Sequence, residues 1–336
     1  MKVLFVGDDW HGSNATSLRN AFVQRGHEVT TVNTRSLSDP VRRPVRRGWK
    51  RFSRSTYDSW AADRLDAEIR YRARGIPFQL VIGFKALLVR AETLESLPGV
   101  KLHYHPDDSS NPAHRSAVFD EAESAYDVHV TTKSFNVEEI YKRAGRPAVF
   151  MWCAYDPEWH VPMVGKTWSS APRLGFIGTC RADRTALMAK VAERYRRKLV
   201  VVGSGWSRIG GVRKYAEVKH GAFGRAFSEA VSTAPLQLGL LNSDNRDLHT
   251  CRSIEVPAAG GLLIGQRTAE HGTLLEDGAS ALLFDSEQEL WQLIDGCMES
   301  PAWARDVAAR GQKVIRGGKN TYGDRVDEIL RLSAEV

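Results

Sequence analysis

A chain of 336 residues with 42% hydrophobic and 26% charged positions has the composition of an ordinary globular protein and enough length for two cores. No apolar run approaches the roughly 18 residues that span a bilayer. Four scattered cysteines without a C-x-x-C pair argue against a disulfide framework or zinc site and point to a reduced, cytoplasmic setting.

The net charge of +7 is concentrated in positions 41–54 (VRRPVRRGWKRFSR), which hold six arginines and one lysine with no acid. The opening MKVLFVGDDW reads as the first strand of a folded domain and not as a signal peptide, because its short apolar run meets two aspartates at once. A strand over 2–6 leads through GDDWHGSNAT into a helix over 13–25, closed by Gly26, and a strand over 28–32 follows. In the basic segment, Pro40 and Pro44 argue against a regular helix at its start. It reads as a solvated loop, with contact to anionic lipid or to an anionic acceptor as sharper alternatives. Its aromatics lack regular spacing, so no nucleic acid is expected.

Further strands are expected over 80–83, 101–104, 128–131 and 148–152, with helices over 58–74, 91–97 and 136–143 between them. Residues 162–172 (PMVGKTWSSAP) lack an apolar period and mark a domain boundary. A second unit then starts afresh, with strands over 173–177, 199–202, 236–241, 262–264 and 281–284 and helices over 182–196, 223–233 and 287–299. The domains are therefore 1–162 and 173–318, with a C-terminal helix over 319–336 that packs back on the first. Alternating β and α elements give two α/β domains with parallel sheets, facing each other across a cleft.

The most informative stretch runs from 240 to 283. A strand ends in the polar loop 242–249, a short helix carrying Glu255 follows, and Gly260-Gly261 leads straight into another strand. Ligands of open α/β sheets bind outside the carboxyl ends of the strands. A helix start there, with Thr250 or Ser253 as cap, offers free amides to a diphosphate, and the Glu255 carboxylate suits a ribose diol; the competing reading is a glutamate that complements the helix dipole. Asp247 lies eight residues earlier, an acid-x7-acid spacing. Gly178 closes the first strand of this domain, and Arg181 and Arg184 behind it offer bidentate donors to phosphate. Arg252 has similar standing, and Cys251 falls in the same loop.

Other patterns carry less. Gly203-x-Gly205-x-x-Arg208 lacks the third glycine of a dinucleotide fingerprint. Asp8-Asp9 after a strand suits a phosphoacceptor domain, but nothing else fits that plan. His103 and His105 with Asp107 and Asp108 could bind a metal, yet turn chemistry explains the segment as well; His105 is kept as a contact to substrate, with His11 and Gly12 at the first strand end, and no metal site is assigned.

Together RSIEVPAAGG (252–261), EDGASALLFDSEQEL (276–290) and NTYGDRVDEIL (320–330), with echoes in WHGS, Asp107-Asp108 and CAYDPEWHVP (153–162), resemble the CgeB-type spore-protein glycosyltransferases, relatives of glycosyltransferase family 4. The resemblance implies the GT-B fold, two Rossmann-like domains with the donor held by the second. It places Glu255 on the ribose and Asp247, where the family has a glutamate, on the donor sugar. It puts Arg181 or Arg184 on the diphosphate and His105 or His11 opposite the sugar. The expected activity is transfer from a nucleotide-diphosphate sugar as donor substrate, without cofactor or metal and with retention, at the cytoplasmic face of a membrane or in the cytoplasm. The alternatives are a non-catalytic sugar-nucleotide or envelope-assembly protein and a nucleotide-sugar 2-epimerase.

Overall fold

The structure, a computed structural model, describes residues 1–35, 43–163 and 168–336, apart from the side chains of residues 43, 44, 46, 47 and 50. The chain forms two compact units, Met1–Trp152 with Tyr322–Val336 and Cys153–Thr321.

In the first unit the elements run β1 (Lys2–Gly7), α1 (Asn14–Gln24), β2 (Glu28–Asn33), α2 (Arg43–Phe52), α3 (Arg54–Ala73), β3 (Leu80–Phe84), α4 (Ala91–Glu95), β4 (Val100–His105), α5 (Ala117–Ala122), β5 (Val128–Thr131), α6 (Asn136–Ala144) and β6 (Ala148–Phe150). The sheet order is β2-β1-β3-β4-β5-β6, and all its pairings are parallel. This is the flavodoxin-like order extended by one strand, with its switch point between β1 and β3.

The second unit contains β7 (Leu174–Ile177), α7 (Ala182–Tyr195), β8 (Leu199–Val202), α8 (Gly210–Tyr215), β9 (Glu217–Lys219), α9 (Arg225–Thr233), β10 (Leu236–Gly239), α10 (Arg252–Ala258), β11 (Leu262–Gln266), α11 (Ala269–Leu274), β12 (Leu282–Phe284), α12 (Glu287–Glu299) and α13 (Pro301–Gly317). Its order, β12-β11-β10-β7-β8-β9, is that of the Rossmann fold and switches between β7 and β10. Strands LGFI, LVVV and LQLG are buried throughout, as parallel strands covered on both faces must be. The last helix, α14 (Tyr322–Glu335), belongs to the first unit and lies against α1, with Arg25 donating to Asp327 at 2.6 Å.

Two differences from the expectations of the sequence have physical causes. Residues 153–161 belong to the second unit, not the first, because the Tyr155 amide donates to the Asn320 carbonyl at 2.9 Å and Arg316 donates to the His160 carbonyl at 3.2 Å. The boundary segment 162–172 lies partly outside the described residues, at 164–167. Residues 43–52 of the basic segment are helical, not a loop; Pro44 sits in the first turn, where its missing N–H breaks no helical bond. Trp49 seats that helix on α3, with its ring 5.5 Å from Tyr57 and 5.4 Å from Trp60. Pro40 lies outside the described residues.

Candidate functional site

The carboxyl ends of β7 and β10, the switch point of the second sheet, carry most of the candidate residues. Gly178 follows β7, and a Cβ at the neighbouring Gly203 would stand 2.0 Å from its carbonyl oxygen. The turns after β7 and β8 therefore approach closer than any side chain would allow.

Two charged groups occupy this edge. In the first, Glu255 is buried on α10 and one carboxylate oxygen takes the Nη1 of Arg252. Arg252 also donates from Nε to the Ile177 carbonyl at 3.1 Å and lies over the Phe227 ring at 4.8 Å, so one guanidinium ties the end of β7 to α10 and α9. The other Glu255 oxygen faces Nε2 of His160 at 3.7 Å. Burial, with Arg252 close by, pushes the His160 imidazole down to about 3, so this is a neutral N–H facing a carboxylate.

In the second group, Asp247 is buried and its Oδ2 accepts from the Asn242 amide at 3.1 Å and from its Nδ2 at 2.9 Å. Asn242 in turn accepts from Arg184, which also donates to the Leu241 carbonyl at 3.2 Å. Burial lowers the Arg184 guanidinium from its ordinary value, yet it remains a cation. A cavity of about 270 Å³ opens here, lined by Arg184, Asn242, Ser243, Asp247 and Gln266. Arg181 pairs with Asp244. At Asp183, burial by itself raises the carboxyl, and bonds from the Ser243 amide (3.0 Å) and hydroxyl (2.8 Å) outweigh it and lower the group.

The loop between the groups is clamped from α11. His249 stands 2.5 Å from the Glu270 carboxylate, Ser253 stands 2.7 Å from His271, and Thr268 donates to the Leu248 carbonyl. The first turn of α10 corrects one expectation: the amide of Thr250 donates to Ser253 Oγ at 3.1 Å and that of Arg252 to Thr250 Oγ1 at 3.2 Å. Neither is open to a phosphate. Cys251 is half-buried at the helix start.

The remaining candidates lie in the first unit. His11 is exposed in the loop after β1, and Gly12 has the left-handed φ of 96°. His105, expected to face substrate, is fully buried instead. Its Nδ1 lies 2.9 Å from the Asp107 carbonyl, and burial lowers it to about 4, because β4 is covered on both faces from Leu102 to His105 and the ring lies near Phe119. Among the described residues, no group of three or more histidines, cysteines, aspartates or glutamates could hold a metal ion, and no helix is long and apolar enough to cross a membrane.

Sequence reading missed His160, His249, Asn242, Gln266, Glu270 and His271. None stands in a spaced motif with Glu255, and His160 is about a hundred residues away in the chain. CAYDPEWHVP, which contains His160, carries only a family resemblance.

Residues 181–331 match the family model described as glycosyl transferase-like, and no curated protein sequence matches the chain. The fold is similar to that of sucrose-phosphate synthase from Thermosynechococcus elongatus (TM-score 0.69, 13% identity, all of both chains covered). It is also similar to Alr3699/HepE of Anabaena in complex with UDP-glucose (TM-score 0.65, 12% identity, 98% of this chain and 99% of that one). A putative UDP-N-acetylglucosamine 2-epimerase from Listeria monocytogenes shares it as well (TM-score 0.58, 11% identity, 98% and 94% covered). At such identities the likeness is one of fold, and the fold is GT-B.

Proposed function

We propose, from a glycosyl transferase-like domain over residues 181–331 set in a GT-B fold, that this chain transfers a sugar from a nucleotide-diphosphate donor to an acceptor hydroxyl. One observation carries the reading: Glu255, a buried carboxylate, is oriented by Arg252 at the switch point of the second sheet, where a ribose diol would sit. In the reaction the bond between the anomeric carbon and the diphosphate oxygen breaks, and the electron pair leaves with the phosphate. The acceptor oxygen forms the new bond, and its proton passes to the departing diphosphate.

Arg184, with Arg181, would neutralise the departing diphosphate as fixed positive charge, and that role needs no divalent ion. Asp247, its carboxylate oriented by Asn242, would hold the donor sugar, and retention of configuration is expected with it. The resemblance of residues 252–290 to CgeB-type enzymes supports the same roles. UDP or UDP-glucose is what the Anabaena protein holds in its complexes, which makes UDP-sugars the first donors to try. On the acceptor side, Val45 and Phe52 of α2 are 58% and 91% exposed in a segment with seven cations and no acid, which supports an anionic or membrane-borne acceptor.

The 2-epimerase remains the second reading, favoured by the shared fold; it would convert free donor with no acceptor present. Thermal unfolding against nucleoside diphosphates and their sugars, with and without magnesium, tests the proposal. A ligand bound only by the folded state at about a hundred times its Kd adds about 2.7 kcal/mol. A metal-independent shift that shrinks in Glu255→Gln supports the reading, and no shift for any nucleotide ends it.

A further inference from the structure

The segment that carries His160 is fixed from three helices. The Ser228 hydroxyl, fully buried on α9, donates to the Trp159 carbonyl at 2.8 Å and accepts from the Val161 amide at 3.0 Å, gripping the chain on both sides of it. Arg316 reaches from α13 to the His160 carbonyl at 3.2 Å and to the Ala258 carbonyl at 3.3 Å, so one guanidinium spaces His160 against the helix that bears Glu255. The ring meets Phe227 edge-on at 5.0 Å.

The tautomer is fixed as well. The Asp156 amide donates to Nδ1 at 2.9 Å, and a ring nitrogen that accepts carries no proton, so the proton of the neutral ring is on Nε2. That N–H faces Glu255 at 3.7 Å, a distance at which a dipole still orients a carboxylate when both groups are buried. A carboxylate has about four lone-pair sites. Arg252 occupies one, His160 faces a second, and two are left, which is the number a vicinal diol can fill.

We propose that His160 is a positioning residue of the donor site, whose Nε2–H fixes Glu255 so that it accepts from the 2′ and 3′ hydroxyls of a ribonucleoside diphosphate. This rests on the glycosyltransferase reading above, in which Glu255 meets the ribose. Removing the N–H frees the carboxylate to turn towards Arg252, and the preference for ribose over 2′-deoxyribose falls.

The test is calorimetric titration of the full chain with UDP, GDP and ADP and with their 2′-deoxy counterparts, in wild type, E255Q, H160F and H160Q. Wild type should prefer one ribonucleotide over its 2′-deoxy form by about tenfold or more. E255Q and H160F should both lose that preference, and H160Q, whose amide restores an N–H at that reach, should recover it. Thermal unfolding checks that each variant is folded. Should H160F fail to fold, H160N serves in its place, since its shorter amide cannot reach Glu255. Full preference in H160F, or in H160N where it stands in, overturns the role of His160 alone. A wild type without preference, or an E255Q that keeps it, overturns the ribose assignment of Glu255 and the reading beneath it.

Discussion

Ser253 Oγ lies 2.7 Å from Nε2 of His271, whose Nδ1 lies 2.6 Å from the Gln266 carbonyl. A carbonyl only accepts, so Nδ1 carries the ring proton and the serine hydroxyl donates to Nε2. Through this relay the end of β11 sets the second residue of α10, and with it the helix that carries Glu255. Replacing His271 by leucine takes the acceptor from the buried Ser253 hydroxyl and a donor from the half-buried Gln266 carbonyl. The expected loss is about 1–3 kcal/mol for such groups, read as a lower denaturation midpoint with unchanged slope. Nucleotide affinity should fall with it, because the helix start loosens.

Glu255→Gln keeps the shape and removes the charge. Donor Kd should rise about tenfold or more, about 1.4 kcal/mol, as measured by titration with UDP. Unchanged binding would reduce the Arg252–Glu255 contact to a structural ion pair.

Arg184→Met separates the diphosphate from the nucleoside. Affinity for the nucleoside diphosphate should drop about tenfold or more while affinity for the nucleoside holds, since a methionine fills similar volume without a phosphate donor. Transfer activity of the wild type should survive a chelator, because the arginines supply the charge. Full inhibition by the chelator, reversed by magnesium, would place a metal in the reaction.

Acid should destabilise the protein in a defined window. Burial lowers His105 and His129 to about 4 and His160 to about 3, against 6.5 when exposed. Below pH 6.5 the unfolded chain binds these protons and the folded chain does not, so stability is complete above that pH and lost as pH falls towards 4. Each histidine contributes about 1.4 kcal/mol per pH unit in this window. At Glu123, burial by itself raises the carboxyl, and Arg143 and Arg115 outweigh it and lower the group to about 2; its loss adds in the same direction below pH 4.5. Melting temperatures at pH 7 and pH 5 check this, and His129→Gln should flatten the dependence by one proton.

Helix α2 should bring the protein to anionic vesicles. Phe52→Asp, at a 91% exposed position, should weaken binding to vesicles rich in anionic lipid, and raised salt should weaken it further. Deleting residues 42–54 without loss of vesicle binding would end that role.

The architecture was open to reading along the chain because its signals are local. Apolar strands, helix periods and closing glycines lie within about twenty residues of one another, and they place Gly178 at a strand end and Arg184 and Glu255 on the helices that follow β7 and β10. The basic helix is hidden in the sequence because its prolines suggest a break, and one of them, Pro44, falls where a helix tolerates it.

Strand order and the surroundings of the carboxylates were settled only by tertiary structure. That β7 and β10 are neighbours, and so form the switch point, follows from how the crossovers pack and not from any run of residues. Two candidate amides proved already bonded, and His105 proved buried, because hydrogen-bond partners and burial depend on what the rest of the chain brings alongside. His160 shows this most plainly. Its chain neighbours say nothing of Glu255, and only the folding of α9 and α13 against that segment turns its one N–H towards the carboxylate.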